Sequence, residues 1–214
     1  MNRDLHNYRV SYERNELSIA ETLDNPMAQF EQWFKEVEEE GSILEPNTMN
    51  LSTLDKDGYV KSRIVLLKEF DRLGFRFYTN YHSEKGQAIA HHKQVGLSFF
   101  WPNLERQVII KGIAEQLPAT ASDAYFKSRP KGSQLGAWVS EQSTVIEDRS
   151  YLEDRMESLK AKFENTVIPR PEYWGGYLIK PMSVEFWQGR PSRLHDRIRY
   201  RLEGEQWIKE RLAP

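Results

Sequence analysis

Apolar side chains first recur with a helical period over residues 26–40, where Phe30, Trp33, Phe34 and Val37 form one stripe. Asn25 is placed to cap this helix, Pro26 suits its first position, and the stripe predicts a core contact. Residues 1–24 are polar and aperiodic, which predicts a mobile N-terminal segment unless a partner or ligand orders it. From Thr48 the period changes to two. Met49, Leu51 and Thr53 alternate, residues 55–58 supply a turn, and residues 59–68 return as a long strand, so a hairpin is predicted. A third strand is expected over 75–79, and residues 95–101 and 106–116 read as a second hairpin about Pro102 and Asn103. Residues 176–179, 183–189, 193–202 and 206–212 add further strands. Thr120 with Asp123 and Ser150 with Glu153 read as capping boxes of two helices, the second with the stripe Leu152, Met156, Leu159 and Phe163; another helix is expected to begin at Ser83. There is no internal repeat. Many strands with few helices predict a mainly antiparallel β fold with flanking helices, a barrel rather than a parallel sheet.

Composition narrows the function more than the fold. A chain of 214 residues is long enough for a sizeable core, and residues 25–214 are expected to form a single domain. With 30 Lys+Arg against 32 Asp+Glu the net charge is −2, which offers no electrostatic argument for nucleic acid or an anionic membrane. Any anion site must therefore be local. The absence of cysteine excludes disulfides, thiolate metal sites and thiol nucleophiles, and no metal site is expected. No apolar run approaches the roughly 20 residues of a membrane helix, and the first residues lack a signal peptide's apolar region, so a cytoplasmic protein without a membrane span is expected.

The candidate chemistry is densest in the run Val184-Glu-Phe-Trp-Gln-Gly-Arg-Pro-Ser-Arg-Leu-His-Asp-Arg197, where Arg193, His195 and Arg197 recur every second residue. On a strand that spacing turns all three to one face. Two guanidiniums and an imidazole, preceded by Trp187, suit a flat anionic ligand. Spacing alone also fits a solvated sheet face, because Arg199 and Arg201 continue the alternation. The order of residue types decides more: the run resembles the C-terminal signature of the pyridoxine (pyridoxamine) 5'-phosphate oxidases, FMN enzymes that make pyridoxal 5'-phosphate. The resemblance extends over about residues 8–214.

That resemblance implies an FMN-binding split β-barrel and a homodimer with sites at the interface. It assigns the strand Arg63, Ile64, Val65, Leu66, Leu67 and Lys68 to the flavin, with Arg63 serving FMN and Lys68 also the substrate phosphate. Alternation would put Arg63, Val65 and Leu67 on one face and Ile64, Leu66 and Lys68 on the other. Tyr78, Thr79 and Lys85 resemble the FMN phosphate pocket, beside a helix N-terminus suited to an anion. Here the chain departs from the family: Glu84 stands where a second basic residue is usual, and a carboxylate cannot donate to phosphate, so it either turns outward or weakens FMN binding. A second departure is Glu45, where a relative has Asp.

Gln107, Gln142 and Ser143 match groups at the polar edge of the flavin, and Trp187 and Arg197 complete that set. Tyr125, Arg129 and Ser133, with Lys68, resemble the substrate-phosphate clamp. Arg193 and His195 fall on the catalytic positions beside the substrate, and Arg9 and Tyr12 on an active-site lid within residues 1–24. The implied reaction converts pyridoxine 5'-phosphate or pyridoxamine 5'-phosphate with dioxygen to pyridoxal 5'-phosphate and hydrogen peroxide. The alternatives are a flavin-dependent reductase, or a non-catalytic FMN or pyridoxal-phosphate carrier, on the same barrel.

Overall fold

A computed structural model describes residues 3–8 and 10–214; Arg9 lies outside the described residues. Helix α1 (Pro26–Glu40) starts where Asn25 Oδ1 accepts the Met27 N–H at 2.8 Å and ends at Gly41, whose φ of 73° is the left-handed conformation glycine tolerates best. Of its predicted stripe Phe30, Trp33 and Val37 are buried and Phe34 is half-buried. The ring of Phe30 lies 5.1 Å from that of Phe99, and Trp33 meets Phe186 edge-on at 5.0 Å.

The strands are β1 (Thr48–Leu54), β2 (Val60–Leu66), β3 (Glu69–Asp71), β4 (Gly74–Asn80), β5 (Gln94–Trp101), β6 (Arg106–Gln116), β7 (Trp174–Gln188), β8 (Asp196–Glu203) and β9 (Gln206–Arg211). They run in the order β2-β1-β5-β6-β7-β4-β3, with β8 paired to β7 and β9 to β8. The registers of β3 on β4, β4 on β7, β7 on β8 and β8 on β9 are all antiparallel. Between the strands lie α2 (Glu84–His91), α3 (Ala119–Ser128), α4 (Lys131–Val139) and α5 (Ser150–Lys162). A mainly antiparallel fold with flanking helices is thus what the alternation predicted.

The differences are local and physical. The strands expected at 176–179 and 183–189 are one, because β7 pairs with β4 through residues 174–179 and with β8 through 183–188. Pro181 falls between the two registers, where its missing N–H breaks neither ladder. The strand expected from Arg193 begins only at Asp196. Residues 191–193 form a 3-10 turn with Ser192 and Arg193 at φ 56° and 62°, because the chain must reverse between Gln188 and its register partner Asp196. The shared strand face proposed for Arg193, His195 and Arg197 is therefore wrong; of the three only Arg197 lies on β8. Likewise β2 ends at Leu66, so alternation covers residues 63–66 and leaves out Leu67, which is buried, and Lys68, which is exposed.

Neither capping box forms as expected. Helix α3 starts behind Pro118 without a side-chain cap, and Asp123 instead pairs with Arg170 at 2.7 Å. Ahead of α5, Asp148 Oδ1 accepts from both Ser150 N (2.7 Å) and Ser150 Oγ (2.6 Å), while Glu153 pairs with Arg149. Pro130 stands between α3 and α4, as the residue that precedes the first turn of α4.

The chain forms two compact units that alternate along the sequence. One runs to Asn50 and includes residues 96–111 and 181–214; the other comprises 51–95 and 112–180. The second unit has its own core of Phe126, Leu135, Phe163, Ile168 and Trp174.

Candidate active site

In the unit of residues 51–95 and 112–180, a buried cationic cluster is built where β4 meets α2. Ser83 caps α2, its Oγ accepting from Gly86 N, and places Lys85 in the first turn, where its side chain is buried. Among the described residues Lys85 Nζ donates to neutral oxygens: Thr79 Oγ1 at 3.3 Å, Ser83 Oγ at 3.2 Å and Gln142 Oε1 at 3.3 Å. Burial pushes its pKa down to about 8, the nearby Arg63 guanidinium pushes the same way, and Glu84 opposes both. Arg63 likewise has neutral partners, Leu51 O at 3.1 Å and Thr53 Oγ1 at 2.7 Å, and burial lowers its pKa. Glu84 turns outward to Lys61, with 56% of its side chain exposed. Two cations held by neutral groups favour a phosphate.

Beside it, Tyr78 stacks on Tyr125 with ring centroids 3.8 Å apart and lies 5.7 Å from Trp174. The Arg129 guanidinium sits 4.6 Å from the Trp174 ring centroid, and its Nη1 is buried without a hydrogen-bond partner among the described residues. Burial lowers the Arg129 pKa and raises that of Tyr125; burial first, then Glu69, lifts Tyr78 to about 12. All these phenols are therefore neutral donors near pH 7. Tyr78, Thr79, Arg129, Ser133, Gln142 and Trp174 help line one cavity of about 310 Å³. It unites residues expected at the flavin with residues expected at the substrate phosphate. Lys68 does not line it.

Trp174 was missed by sequence reasoning. Its only signal is the neighbouring Gly175 and Gly176, where an added Cβ would lie 2.2 Å from the Tyr81 hydroxyl and 2.5 Å from Leu117 respectively. Arg155, also missed, donates to Glu141 Oε1 at 3.0 Å and to Trp138 O at 3.2 Å, anchoring the loop that carries Gln142 and the exposed Ser143 at φ 75°.

The other unit carries the remaining candidates. Trp187 on β7 and His195 have ring centroids 4.5 Å apart, and Tyr12 meets them at 5.8 and 5.9 Å. His195 Nδ1 accepts the Arg190 main-chain N–H at 3.1 Å, which leaves Nε2 to carry the proton of the neutral ring. Burial, then Arg193, holds its pKa below the ordinary 6.5. Arg193 itself is exposed. Arg197, the register partner of Trp187, pairs with Glu185 at 2.7 Å and donates to Ala213 O at 2.8 Å. Gln107 donates to Ser98 Oγ at 3.1 Å.

Residues 34–163 match the family model described as pyridoxamine 5'-phosphate oxidase, and residues 174–214 match the pyridoxine 5'-phosphate oxidase C-terminal dimerisation region. This chain belongs to the pyridoxine/pyridoxamine 5'-phosphate oxidase family. The family member from Flavobacterium johnsoniae, named pyridoxine/pyridoxamine 5'-phosphate oxidase, is 56% identical over 211 residues, covering 98% of this chain and 99% of its own length. Among solved structures, PhzG from Burkholderia lata 383, in complex with tetrahydrophenazine-1-carboxylic acid, superposes with a TM-score of 0.89 at 26% identity, covering 96% of this chain and 100% of its own. A pyridoxamine 5'-phosphate oxidase-related FMN binding protein from Nostoc punctiforme shares the fold alone, with a TM-score of 0.69 at 17% identity over 88% of this chain and 98% of its own. The split barrel expected for this oxidase family is therefore the fold of the chain.

Proposed function

We propose that the protein oxidises pyridoxine 5'-phosphate or pyridoxamine 5'-phosphate to pyridoxal 5'-phosphate, using FMN and dioxygen, as a cytoplasmic homodimer with sites at the subunit interface. The observation that carries this reading is the buried Nη1 of Arg129, without a hydrogen-bond partner among the described residues, beside a cavity that also presents Tyr78 and Ser133. A buried guanidinium nitrogen left unpaired is costly unless an anion completes it. The neighbouring Lys85 and Arg63 supply a second anion site, and a phosphorylated substrate with a phosphorylated cofactor accounts for both.

The residues present fit FMN. Lys85, Arg63 and Thr79 would hold its phosphate, the β2 backbone of Ile64, Val65 and Leu66, continued by Leu67, would support its ring, and Gln142, Ser143, Gln107, Trp187 and Arg197 would meet its edges. When bound, FMN supplies a two-electron acceptor between the substrate and dioxygen. Arg129, Tyr125, Ser133 and Lys68 would grip the substrate phosphate through charge-assisted hydrogen bonds. His195, with Nδ1 engaged, would offer its Nε2–H to a substrate oxygen, while Arg193 would stabilise negative charge on the substrate beside the reacting carbon. Residues 1–24, through Arg9 and Tyr12, would act as a lid on the domain formed by 25–214. The alcohol becomes an aldehyde as dioxygen becomes hydrogen peroxide; the amine additionally takes up water and releases ammonia. A second subunit would cover β2, where Val60 and Ile64 are 70% and 65% exposed.

Incubating the FMN-supplemented protein with each substrate in air tests the proposal. Equal yields of pyridoxal 5'-phosphate and hydrogen peroxide are expected. FMN binding without either product from both substrates would overturn it.

A further inference from the structure

The Arg190 side chain has no place in the set of residues described so far, yet it collects three acceptors. Its Nη1 lies 2.7 Å from Glu16 Oε1 and donates to Asn15 O at 3.4 Å, and its Nε lies 3.6 Å from Asp196 Oδ2. Asp196 in turn accepts the Leu17 N–H at 3.1 Å and binds Arg211 at 2.6 Å, and Arg211 donates to Leu17 O at 2.9 Å. Residues 15–17 are thereby stitched to the turn between β7 and β8. The same residue's main-chain N–H holds His195 Nδ1. One position earlier, a Cβ on Gly189 would lie 2.8 Å from Tyr12 Cβ and Cγ, so the Tyr12 side chain rests directly on glycine backbone.

We propose that Arg190 is a positioning residue: its guanidinium fastens residues 15–17, so that Tyr12 stays seated against Trp187 and His195, while its main chain fixes the His195 imidazole. Residue 190 thus serves both groups, its side chain seating the N-terminal segment and its main chain orienting the imidazole. An Arg suits this task because its planar fork reaches several acceptors at once, whereas an ammonium acts as a point charge. Glu16 is 75% exposed, so its pair alone is weak, and the three acceptors act together. The catalytic consequence rests on the function proposed above; the fastening itself does not.

The test compares wild type, Glu16→Gln, Arg190→Gln, Arg190→Lys and the double variant Glu16→Gln/Arg190→Gln as FMN-loaded protein. Amide hydrogen exchange across residues 11–17 should accelerate roughly threefold in Glu16→Gln and roughly tenfold in Arg190→Gln, with the double variant no faster than Arg190→Gln and Arg190→Lys in between. Nitrogen NMR shifts of His195 should stay at the Nε2–H tautomer in Arg190→Gln, because the main-chain N–H that Nδ1 accepts is retained. The KM for pyridoxine 5'-phosphate should rise while kcat changes less than twofold. Unchanged exchange in Arg190→Gln, or additive effects in the double variant, would overturn the fastening; an imidazole signal averaged between tautomers in Arg190→Gln would overturn the main-chain role, and a loss confined to kcat would overturn the seating of Tyr12. Exchange and NMR need no substrate, so they decide the matter even if neither substrate is oxidised.

Discussion

Lys85 allows a quantitative prediction about cofactor affinity. Its ammonium is buried among neutral oxygens, and in the unliganded protein its pKa lies near 8. A phosphate placed against it would favour the charged form and raise that pKa again. Below pH 8 the site is charged before FMN arrives, whereas above it each binding event must first recruit a proton. Affinity should therefore fall as pH rises, by the factor 1 + 10^(pH − 8), or about elevenfold at pH 9 relative to the acidic plateau and worth about 1.4 kcal/mol. The FMN phosphate does not blur this range, because its second pKa is about 6 and it is already a dianion. Arg63 stays charged throughout. Titrating the flavin-free protein into FMN and following flavin fluorescence between pH 7 and 9.5 measures the effect. In Lys85→Met the slope should vanish and affinity should drop by about 1.5–3 kcal/mol at pH 7, the range of a charge-assisted hydrogen bond. A pH-independent affinity in wild type, or the same slope in Lys85→Met, would refute the reasoning.

Replacing Arg129 with Met should raise KM for the phosphorylated substrates by about 10- to 150-fold, a loss of about 1.5–3 kcal/mol, with FMN affinity within twofold; steady-state kinetics and flavin titration check the two halves. Arg193→Ala should lower turnover far more than FMN content, and equal loss of both would contradict its catalytic placement. Because burial and Arg193 disfavour the imidazolium of His195, the ring stays neutral until pH falls below the ordinary 6.5, so the acid limb of kcat/KM assigned to it should lie below that value. Phe126 is fully buried in the core of Leu135, Phe163 and Trp174, so Phe126→Ala should cost about 3–5 kcal/mol in chemical denaturation, and a loss under 1 kcal/mol would show that this core does not support the site.

Much of this protein was legible in its sequence because the relevant signals are local. A period of 3.6 with an Asn-Pro start identified α1, a period of two identified most strands, and the fourteen-residue run ending at Arg197 carried the family. The resemblance, rather than residue types alone, assigned the phosphate-binding set. Tertiary structure decided what depends on partners distant in sequence. Pro181 breaks no strand because β7 changes partner there, Asp123 leaves its expected cap for Arg170, and Arg193 leaves its expected strand because the chain must turn between paired residues 188 and 196. Only folding could show that Glu84 turns away to Lys61, that Tyr78 stacks on Tyr125, and that Trp174 lies under the Arg129 guanidinium. Burial and charge proximity are properties of the assembled neighbourhood, and they alone bring Lys85 near pKa 8 and leave a nitrogen of Arg129 without a partner among the described residues.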